Sequence, residues 1–281
     1  MSSSLFPARP SALPLTLRAH DEEHLKRDLR AAINQGLFHI FWQPIVNCLT
    51  GNLYGFEALL RWDRPGHGPV SPAVFVPIAE SLGLHQQLDS WVLNRACAEA
   101  ARWPEPLRLA VNVSAGWFQT EQLSVTVAEC LRVTQLDPAR LELEVTERVF
   151  IDHFGHAPAE LNYLKALGVG LSLDDFGTGF SSLSYLRHIA FDKIKLDRTF
   201  VEQLGSCRRT EVIVRTMLQL SNGLGMQVCA EGVEQEMQLG ILQAYRCNEV
   251  QGFLIGRPAS INSETFMTYN RLSETGMFQP V

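Results

Sequence analysis

The sequence has little positive charge and no long apolar run. Its 281 residues include 24 Lys and Arg against 30 Asp and Glu, which gives a net charge of −6. This balance argues against a protein that binds a nucleic-acid duplex or a long RNA, since such proteins carry a basic face. No window reaches the ~20 apolar residues of a membrane span. The first 20 residues also lack the basic-then-apolar order of a signal peptide.

Cysteine is scarce and scattered. No two of the six cysteines form a C-x-x-C pair; they are Cys48, Cys97, Cys130, Cys207, Cys229 and Cys247. This arrangement favours reduced thiols over structural disulfides. We therefore expect a cytoplasmic protein without a membrane segment.

The chain divides into a central domain and two short ends. Residues 1–20 are rich in Ser and Pro and show no periodicity, as in a tail or the remnant of a linker. A helical pattern begins at Asp21, and Gly36 is its stop signal. We assign residues 21–265 to one domain and 266–281 to a C-terminal tail.

Short apolar runs alternate with helical patterns along this domain. Eight candidate strands cover 39–46, 53–60, 108–113, 141–146, 169–174, 191–196, 226–230 and 248–253. Helical patterns between them cover 73–82, 87–101, 120–134, 157–167, 181–188, 199–222 and 234–243. Such alternation predicts an α/β protein with a parallel sheet, because parallel strands need a crossover connection. The best solution is a TIM-like (β/α)8 barrel, and a doubly wound open sheet is the alternative. The connection 47–52 is too short for a helix, so the first two strands should pair antiparallel.

Each of the later strand candidates carries a polar residue at or near its carboxyl end. These residues are Glu57, Asn112, Glu144, Asp174 with Asp175, Lys195, Glu231 and Gln251. Because active sites of barrels form at the carboxyl ends of the strands, we expect these side chains to converge on one mouth.

The charges at this mouth do not balance. Five carboxylates would face a single cation, Lys195, and two like charges at 4 Å repel by about 4 kcal/mol at an effective dielectric of 20. Either some of the carboxyls are protonated or a divalent metal lies between them. Oxygen ligands with one amide favour Mg²⁺ or Mn²⁺ over zinc. The adjacent Asp174 and Asp175 suit a two-metal site, which activates water in phosphoryl displacement.

The order of the motifs resembles one known family. FEALLRW (56–62), QPIV (43–46), NVS (112–114), EVTE (144–147), DDFGTGFSSL (174–183), KIKLDRTF (193–200), AEGVE (230–234) and QGFLIGRP (251–258) are similar to the motifs of EAL domains, which are phosphodiesterases of cyclic di-GMP. The resemblance covers about residues 21–260. It implies a barrel with an antiparallel first strand, two Mg²⁺ or Mn²⁺ ions, and hydrolysis of cyclic di-GMP to linear pGpG.

The resemblance also implies roles for individual residues. Metal ligands would be Glu57, Asn112, Glu144, Asp174, Asp175 and Glu231, with Glu231 as a candidate general base. Lys195 and Gln251 would orient the attacking water, with support from Glu234. Arg61, the backbone at Leu59 and nearby Gln43 would bind the substrate. Glu147 would anchor the loop 175–183, a segment linked in this family to a homodimer, which we also expect here.

Two other functions are compatible with parts of this pattern. A receptor that binds cyclic di-GMP without cleaving it, and signals to a protein partner, would not need the full ligand set. A barrel enzyme that uses Mg²⁺ for enolate chemistry would need a second lysine at a strand end, which is missing.

Three further features carry no functional prediction. His153 and His156 have a metal-binding spacing but no further Cys or His nearby. The five tryptophans do not form a stripe with basic residues between them, so packing is favoured over a stacking platform for single strands. The charged stretch 21–30 is typical of a solvated helix face.

Overall fold

Eight strands close into a barrel, and a ninth short strand flanks it. The computed structural model describes residues 15–119, 122–147, 149, 157–177 and 189–261. Within them the strands are β1 (Phe38–Asn47), β2 (Leu53–Arg64), β3 (Gly68–Val70), β4 (Arg108–Asn112), β5 (Leu141–Thr146), β6 (Gly170–Phe176), β7 (Lys193–Leu196), β8 (Gln227–Ala230) and β9 (Glu249–Val250). Their order is β1-β9-β8-β7-β6-β5-β4-β2-β3, and an additional β1–β2 pairing closes the barrel.

The first strand runs against both of its neighbours. β1 pairs antiparallel with β2, where Gln43 faces Glu57, and antiparallel with β9, where Val46 faces Val250. The other barrel pairs are parallel. The predicted (β/α)8 barrel with an antiparallel first strand is therefore confirmed, and the open sheet is not formed.

Helices cover the outside of the barrel. They are α1 (Leu15–Gln35), α2 (Pro72–Ser81), α3 (His85–Ala100), α4 (Leu123–Thr134), α5 (Ala157–Ala166), α6 (Arg198–Val201), α7 (Arg208–Gly223) and α8 (Glu236–Ala244). Short 3-10 helices at Ala115–Gln119 and Pro138–Arg140 follow β4 and precede β5. No helix among these residues is both long and apolar enough to cross a bilayer.

Alternation along β5 separates an apolar outer face from a polar face inside the barrel. In β5, Leu141, Leu143 and Val145 belong to the large core cluster that also contains residues of α3, α4 and α5. The intervening Glu142 and Glu144 are buried as well, and side chains two residues apart share one face of a strand. The outer face therefore provides apolar burial, and the interior holds the ionisable groups.

The interior contains a second charged cluster below the predicted site. Lys193 is two residues before Lys195 on β7, so it also points into the barrel, nearer the amino ends of the strands. Its Nζ lies 2.8 Å from Glu142 Oε2, 2.6 Å from Glu249 Oε2 and 4.1 Å from the centre of the Tyr54 ring. Burial of these charges is compensated because the ammonium is paired on two sides.

The structure differs from the predicted elements at three places. Helix α1 begins at Leu15, ahead of the predicted start at Asp21. The predicted helix 199–222 is broken into α6 and α7, because the chain turns at Gly205, whose φ is +80°. Strand β3 was not predicted, since Gly68 and Pro69 give no strand signal. Several predictions concern residues outside the described ranges: the start of the N-terminal tail (1–14), the start of helix 120–134, His153 and His156, helix 181–188, and the whole C-terminal tail (266–281).

The six cysteines, all within the described ranges, are free, as the sequence predicts. Five of them are buried, and Cys207 is partly exposed.

Candidate active site

Most predicted site residues lie around one cavity at the carboxyl ends of the strands. This cavity has a volume of about 350 Å³, and its lining includes Gln43, Glu57, Leu59, Arg61, Asp174, Lys195, Glu231, Glu234 and Gln251. A neighbouring cavity of about 590 Å³ is lined in part by Asn112, Glu147 and Asp175. Leu59 and Arg61 line both cavities, so β2 forms the wall between them.

The Lys195 ammonium lies among four carboxylates. Its Nζ is 2.7 Å from Glu231 Oε1 and 2.8 Å from Glu144 Oε2. It is 3.5 Å from Glu57 Oε2 and 3.7 Å from Asp174 Oδ1. The side chain of Lys195 is only 2% exposed, so these charges interact at low effective dielectric. Four carboxylates around one ammonium leave an excess of negative charge.

Glu57 is held by two amides from distant parts of the chain. Asn112 Nδ2 donates to Glu57 Oε1 at 2.7 Å, and Gln251 Nε2 donates to Glu57 Oε2 at 2.7 Å. Both oxygens are therefore oriented by β4 on one side and by the residue after β9 on the other. A buried carboxylate with fixed donors has little freedom to rotate.

The pKa values in this cluster are pushed apart by their surroundings. Burial raises the pKa of Glu57, but the Lys195 ammonium and the Gln251 and Asn112 amides outweigh it and hold the pKa below 4.5. Burial and the Glu57 charge raise the pKa of Glu144 well above its usual value. Burial, with the charges of Asp174 and Glu57, raises the pKa of Glu231 to about 8. Burial lowers the pKa of Lys195, yet its carboxylate neighbours raise it well above 10.5.

A β-bulge separates the two adjacent aspartates. Leu173 of β6 pairs with Ile194 of β7, and Phe176 pairs with Leu196. Strand β6 therefore has two residues, Asp174 and Asp175, where β7 has only Lys195. Asp175 has a φ of +55°, and its N–H donates to Asp174 Oδ1 at 2.9 Å. As a result Asp174 lines the smaller cavity and Asp175 lines the larger one. Bulges are used in this way to redirect side chains next to active sites.

The donors of this cluster match a hard divalent cation in chemistry and in charge. The site offers carboxylate and amide oxygens, and Glu144 Oε1 is buried without a hydrogen-bond partner among the described residues. Across these residues, however, no three acidic, His or Cys side chains already surround a point where an ion could bind. The physical reason is that the carboxylates converge on Nζ of Lys195. Ion binding would therefore require these side chains to turn from the ammonium.

The remaining predicted residues lie at the edges of the site. Arg61 donates to its neighbour Leu60 O at 2.9 Å, and its guanidinium lies 5.6 Å from the centre of the Phe41 ring. Gln43 Nε2 donates to Gly256 O at 3.4 Å. Glu147 Oε1 accepts the N–H of Gly177 at 3.2 Å. The rest of the 175–183 loop lies outside the described residues.

Glu234 lies on the wall of the smaller cavity, where its N–H donates to Gln238 Oε1 at 2.9 Å. In the part of the chain that the structure describes, its carboxylate makes no ion pair with Lys195. Its supporting role stays a prediction.

Several residues at the site were not predicted from the sequence. Arg198 and Phe253 line the smaller cavity, and the Arg257 guanidinium lies 4.2 Å from the centre of the exposed Phe253 ring. Asp89 of α3 lines the larger cavity. The position of Arg198 in the sequence could have predicted its place in the cavity, because it comes two residues after the end of β7, within KIKLDRTF. Asp89 gave no comparable signal, since it lies inside a helix far from any strand end.

Comparison with known proteins identifies the relatives of this chain. The family model described as the EAL domain matches residues 26–258. An uncharacterized signaling protein of Caulobacter vibrioides is 46% identical over 248 residues, which cover 88% of this chain and 31% of that protein. The bifunctional diguanylate cyclase/cyclic di-GMP phosphodiesterase MucR of Pseudomonas aeruginosa is 38% identical over 248 residues, which cover 87% of this chain and 36% of MucR. The chain thus spans about a third of the length of these relatives.

Solved structures give the same result. A structure of the PaMucR phosphodiesterase in complex with c-di-GMP aligns with a TM-score of 0.81 at 39% identity, and it covers 86% of this chain and 99% of that one. The EAL enzyme Bd1971 with cAMP and cyclic di-GMP bound aligns with a TM-score of 0.83 at 29% identity, over 90% of this chain and 70% of that one.

Proposed function

Because the chain belongs to the EAL domain family, we propose that it is a phosphodiesterase that hydrolyses cyclic di-GMP to linear pGpG with two Mg²⁺ or Mn²⁺ ions bound. The observation that carries this proposal is the cluster of four carboxylates around Lys195 at the carboxyl ends of the strands, beside the Arg61 guanidinium. Divalent cations bound among these side chains would offset their negative charge and so admit a substrate with two phosphates.

The residues that would hold the ions are those at the strand ends. They are Glu57, Asn112, Glu144, Asp174, Asp175 and Glu231. Bound divalent ions supply positive charge to the phosphate oxygens and lower the pKa of water. Glu57 suits this role because the amides of Asn112 and Gln251 fix its two oxygens. Such support of a ligand by neighbouring side chains is typical of metal sites.

The other residues bind and orient the reactants. Arg61 lies between the two cavities, where a guanidinium can bind a phosphate of the substrate with two hydrogen bonds. Leu59 and Gln43 line the same cavity, where the resemblance implies substrate contacts from the backbone at Leu59 and from the side chain of Gln43. Gln251 donates to Glu57 through Nε2, and its buried Oε1 has no partner among the described residues, so it can accept a hydrogen bond from water.

Lys195 and Glu231 carry the proton chemistry in this proposal. Their ion pair of 2.7 Å places an ammonium donor and a carboxylate acceptor at the same point of the cavity. The Glu231 carboxylate is placed there to accept a proton from the attacking water, and the Lys195 ammonium to donate a hydrogen bond to it. Glu234 lies on the same wall and supports this pair.

A homodimer is part of the proposal. Glu147 holds the start of the 175–183 loop through Gly177, and the resemblance links that loop to the dimer. Light scattering across a concentration series tests this element: a mass that stays at 31.5 kDa throughout contradicts it.

The activity is tested with the purified chain, cyclic di-GMP and Mg²⁺ or Mn²⁺. We expect pGpG to accumulate, as measured by liquid chromatography and mass spectrometry, and EDTA to abolish its formation. Tight binding of cyclic di-GMP without cleavage, at saturating metal and high protein concentration, would replace hydrolysis by a receptor function.

A further inference from the structure

The position of the Asn112 amide relative to Glu57 depends on how the backbone is held at the end of β4. Asn112 ends β4, and its side chain is exposed to the larger cavity rather than packed in the core. Its amide donates to Glu57 Oε1 at 2.7 Å. Pairing with β5 fixes the chain up to this point, and Val113 N–H still donates to Glu144 O at 2.9 Å. Beyond Val113 the chain leaves the sheet, so other contacts must fix it there.

A single carboxylate oxygen holds the turn after β4. Asp89 Oδ2 accepts the N–H of Ser114 at 2.9 Å and the indole Nε1–H of Trp117 at 2.9 Å. Trp117 N–H in turn donates to Ser114 O at 3.2 Å. Asp89 thus ties together both ends of the turn 114–117, whose first residue lies two positions after Asn112.

The first turn of α3 packs closely against the same segment. A Cβ built on Gly116 would collide with the imidazole of His85, the first residue of α3. Trp117 is only 3% exposed, so its indole N–H needs a partner inside the protein. The turn 114–117 is therefore seated on α3, and Asp89 provides the polar contact.

From these contacts we propose that Asp89 is a positioning residue, which holds the turn 114–117 and so sets where the Asn112 amide lies relative to Glu57. This role rests on the proposed metal-dependent phosphodiesterase function. Asp89 acts through the two hydrogen bonds that its Oδ2 accepts from the Ser114 N–H and the Trp117 indole. Because these two end on one oxygen, the amide oxygen of an asparagine can also accept both, although without the charge.

The test compares Asp89→Ala with Asp89→Asn. The alanine removes the acceptor, whereas the asparagine keeps it without the charge. Loss of a residue that supports a metal ligand typically costs ~10–100-fold in metal affinity or activity. We expect D89A to raise the Mn²⁺ concentration for half-maximal hydrolysis by about that factor, and D89N to stay within about threefold of the wild type.

Hydrogen exchange supplies a readout that does not depend on turnover. The Ser114 amide should exchange faster in D89A and at the wild-type rate in D89N, because only the alanine leaves that N–H without its acceptor. Asp137→Ala is the matched control: Asp137 Oδ1 accepts the N–H of Ala139 at 3.0 Å just before β5, at the opposite end of the barrel. D137A should free its own turn and leave the Mn²⁺ dependence unchanged.

Three results would overturn the positioning role of Asp89. The first is a D89A variant with a freely exchanging Ser114 amide and unchanged Mn²⁺ dependence. The second is a D89N variant as defective as D89A although its Ser114 amide is protected, since this assigns the effect to the charge. The third is an equal loss in D89A and D137A. If D89A does not fold, Trp117→Phe removes one of the two donors while keeping an aromatic ring, and a smaller shift of the same kind is expected.

Positioning by Asp89 can be tested apart from the proposed function. If the wild-type chain does not hydrolyse cyclic di-GMP, Mn²⁺ binding is measured directly by calorimetry. If D89A binds Mn²⁺ more weakly than D89N does, the positioning role is supported although the proposed phosphodiesterase activity is wrong. Equal binding by both variants, or no binding by the wild type, overturns it.

Discussion

Gln251 donates from Nε2 to Glu57 Oε2 at 2.7 Å and so joins two residues 194 positions apart in the chain. Glu57 lies on β2, and Gln251 comes directly after β9. Between these two strands runs β1, which is antiparallel to both. The hydrogen bond therefore spans the place where the barrel closes, and the orientation of Glu57 depends on that closure.

Glu57→Gln is expected to abolish hydrolysis without unfolding the protein. The glutamine keeps the size of the side chain but removes a carboxylate that two amides and Lys195 hold in place. Since even indirect support of a metal ligand is worth ~10–100-fold, we expect a loss of at least about 100-fold in pGpG formation. Circular dichroism should show a folded protein.

The control for this variant is Glu129→Gln. Glu129 is an exposed residue of α4 that pairs with Arg132 at 2.6 Å. Its loss should leave turnover unchanged. Activity that persists in E57Q would show that the assignment of Glu57 as a ligand is wrong.

The barrel and the site at its mouth were accessible to sequence analysis for a simple physical reason. A residue such as Lys195 or Glu231 lies at the end of a short apolar run, and parallel strands bring their carboxyl ends to one edge. The short 47–52 connection equally required a hairpin. Local patterns of this kind decide both the strand and the position of its last residue.

Other features depend on contacts that no local pattern records. Asp89 meets Ser114 and Trp117 only because α3 packs beside the end of β4. The pairing of Lys193 with Glu249 requires β7 and β9 to lie on either side of β8, with both side chains inside the barrel. The position of the Lys195 ammonium among carboxylates of β2, β5 and β6 equally requires the closed barrel.

Lys195→Met is expected to destabilise the protein in EDTA. Removal of the ammonium leaves buried carboxylates without their shared partner, and breaking a buried ion pair costs about 3–5 kcal/mol. Addition of Mn²⁺ should raise the melting temperature of K195M more than that of the wild type, because the variant has more uncompensated negative charge. Hydrolysis should remain strongly reduced at saturating Mn²⁺.

The comparison for this variant is Lys26→Met, which removes a surface lysine that pairs with Glu23 at 3.1 Å on α1. K26M should melt like the wild type with and without Mn²⁺. An equal response of K195M and the wild type to Mn²⁺ would argue against ion binding next to Lys195.

Glu249 should make stability depend on pH. Burial raises its pKa to about 7, although the Lys193 ammonium opposes the shift. The unfolded chain has a carboxyl of ordinary pKa near 4.5, so between these two values the folded state binds more protons than the unfolded state. The contribution of Glu249 to the free energy of unfolding therefore decreases as the pH rises from about 4.5 to about 7.

Glu249→Gln removes this titration and keeps a polar side chain. Thermal unfolding in EDTA is measured at a series of pH values. The melting temperature of E249Q should increase relative to that of the wild type as the pH rises. The difference should level off above about pH 7, where the wild-type carboxyl is ionised. A difference that is constant from pH 4.5 to pH 7 would contradict the raised pKa.

Asp175 allows backbone strain to be separated from chemistry. Its φ of +55° is left-handed, which alanine adopts at a cost of roughly 1–2 kcal/mol and which glycine adopts freely. Because aspartate in this conformation already bears part of that cost, Asp175→Ala should lower the free energy of unfolding by at most that amount. Asp175→Gly should be at least as stable as the wild type, and Asp175→Asn should be close to it. Denaturant titration measures the three values.

Hydrolysis by the same three variants then tests the carboxylate. If Asp175 serves the reaction through its charge, all three variants lose turnover, including the two that remain stable. If the residue matters only because the bulge in β6 must form, D175G and D175N retain turnover and D175A alone is weakened. We expect the first pattern. The bulge in β6 places the Asp174 side chain in the smaller cavity and the Asp175 side chain in the larger one. Asparagine can adopt the same backbone conformation at position 175, but it cannot replace the charge of the carboxylate.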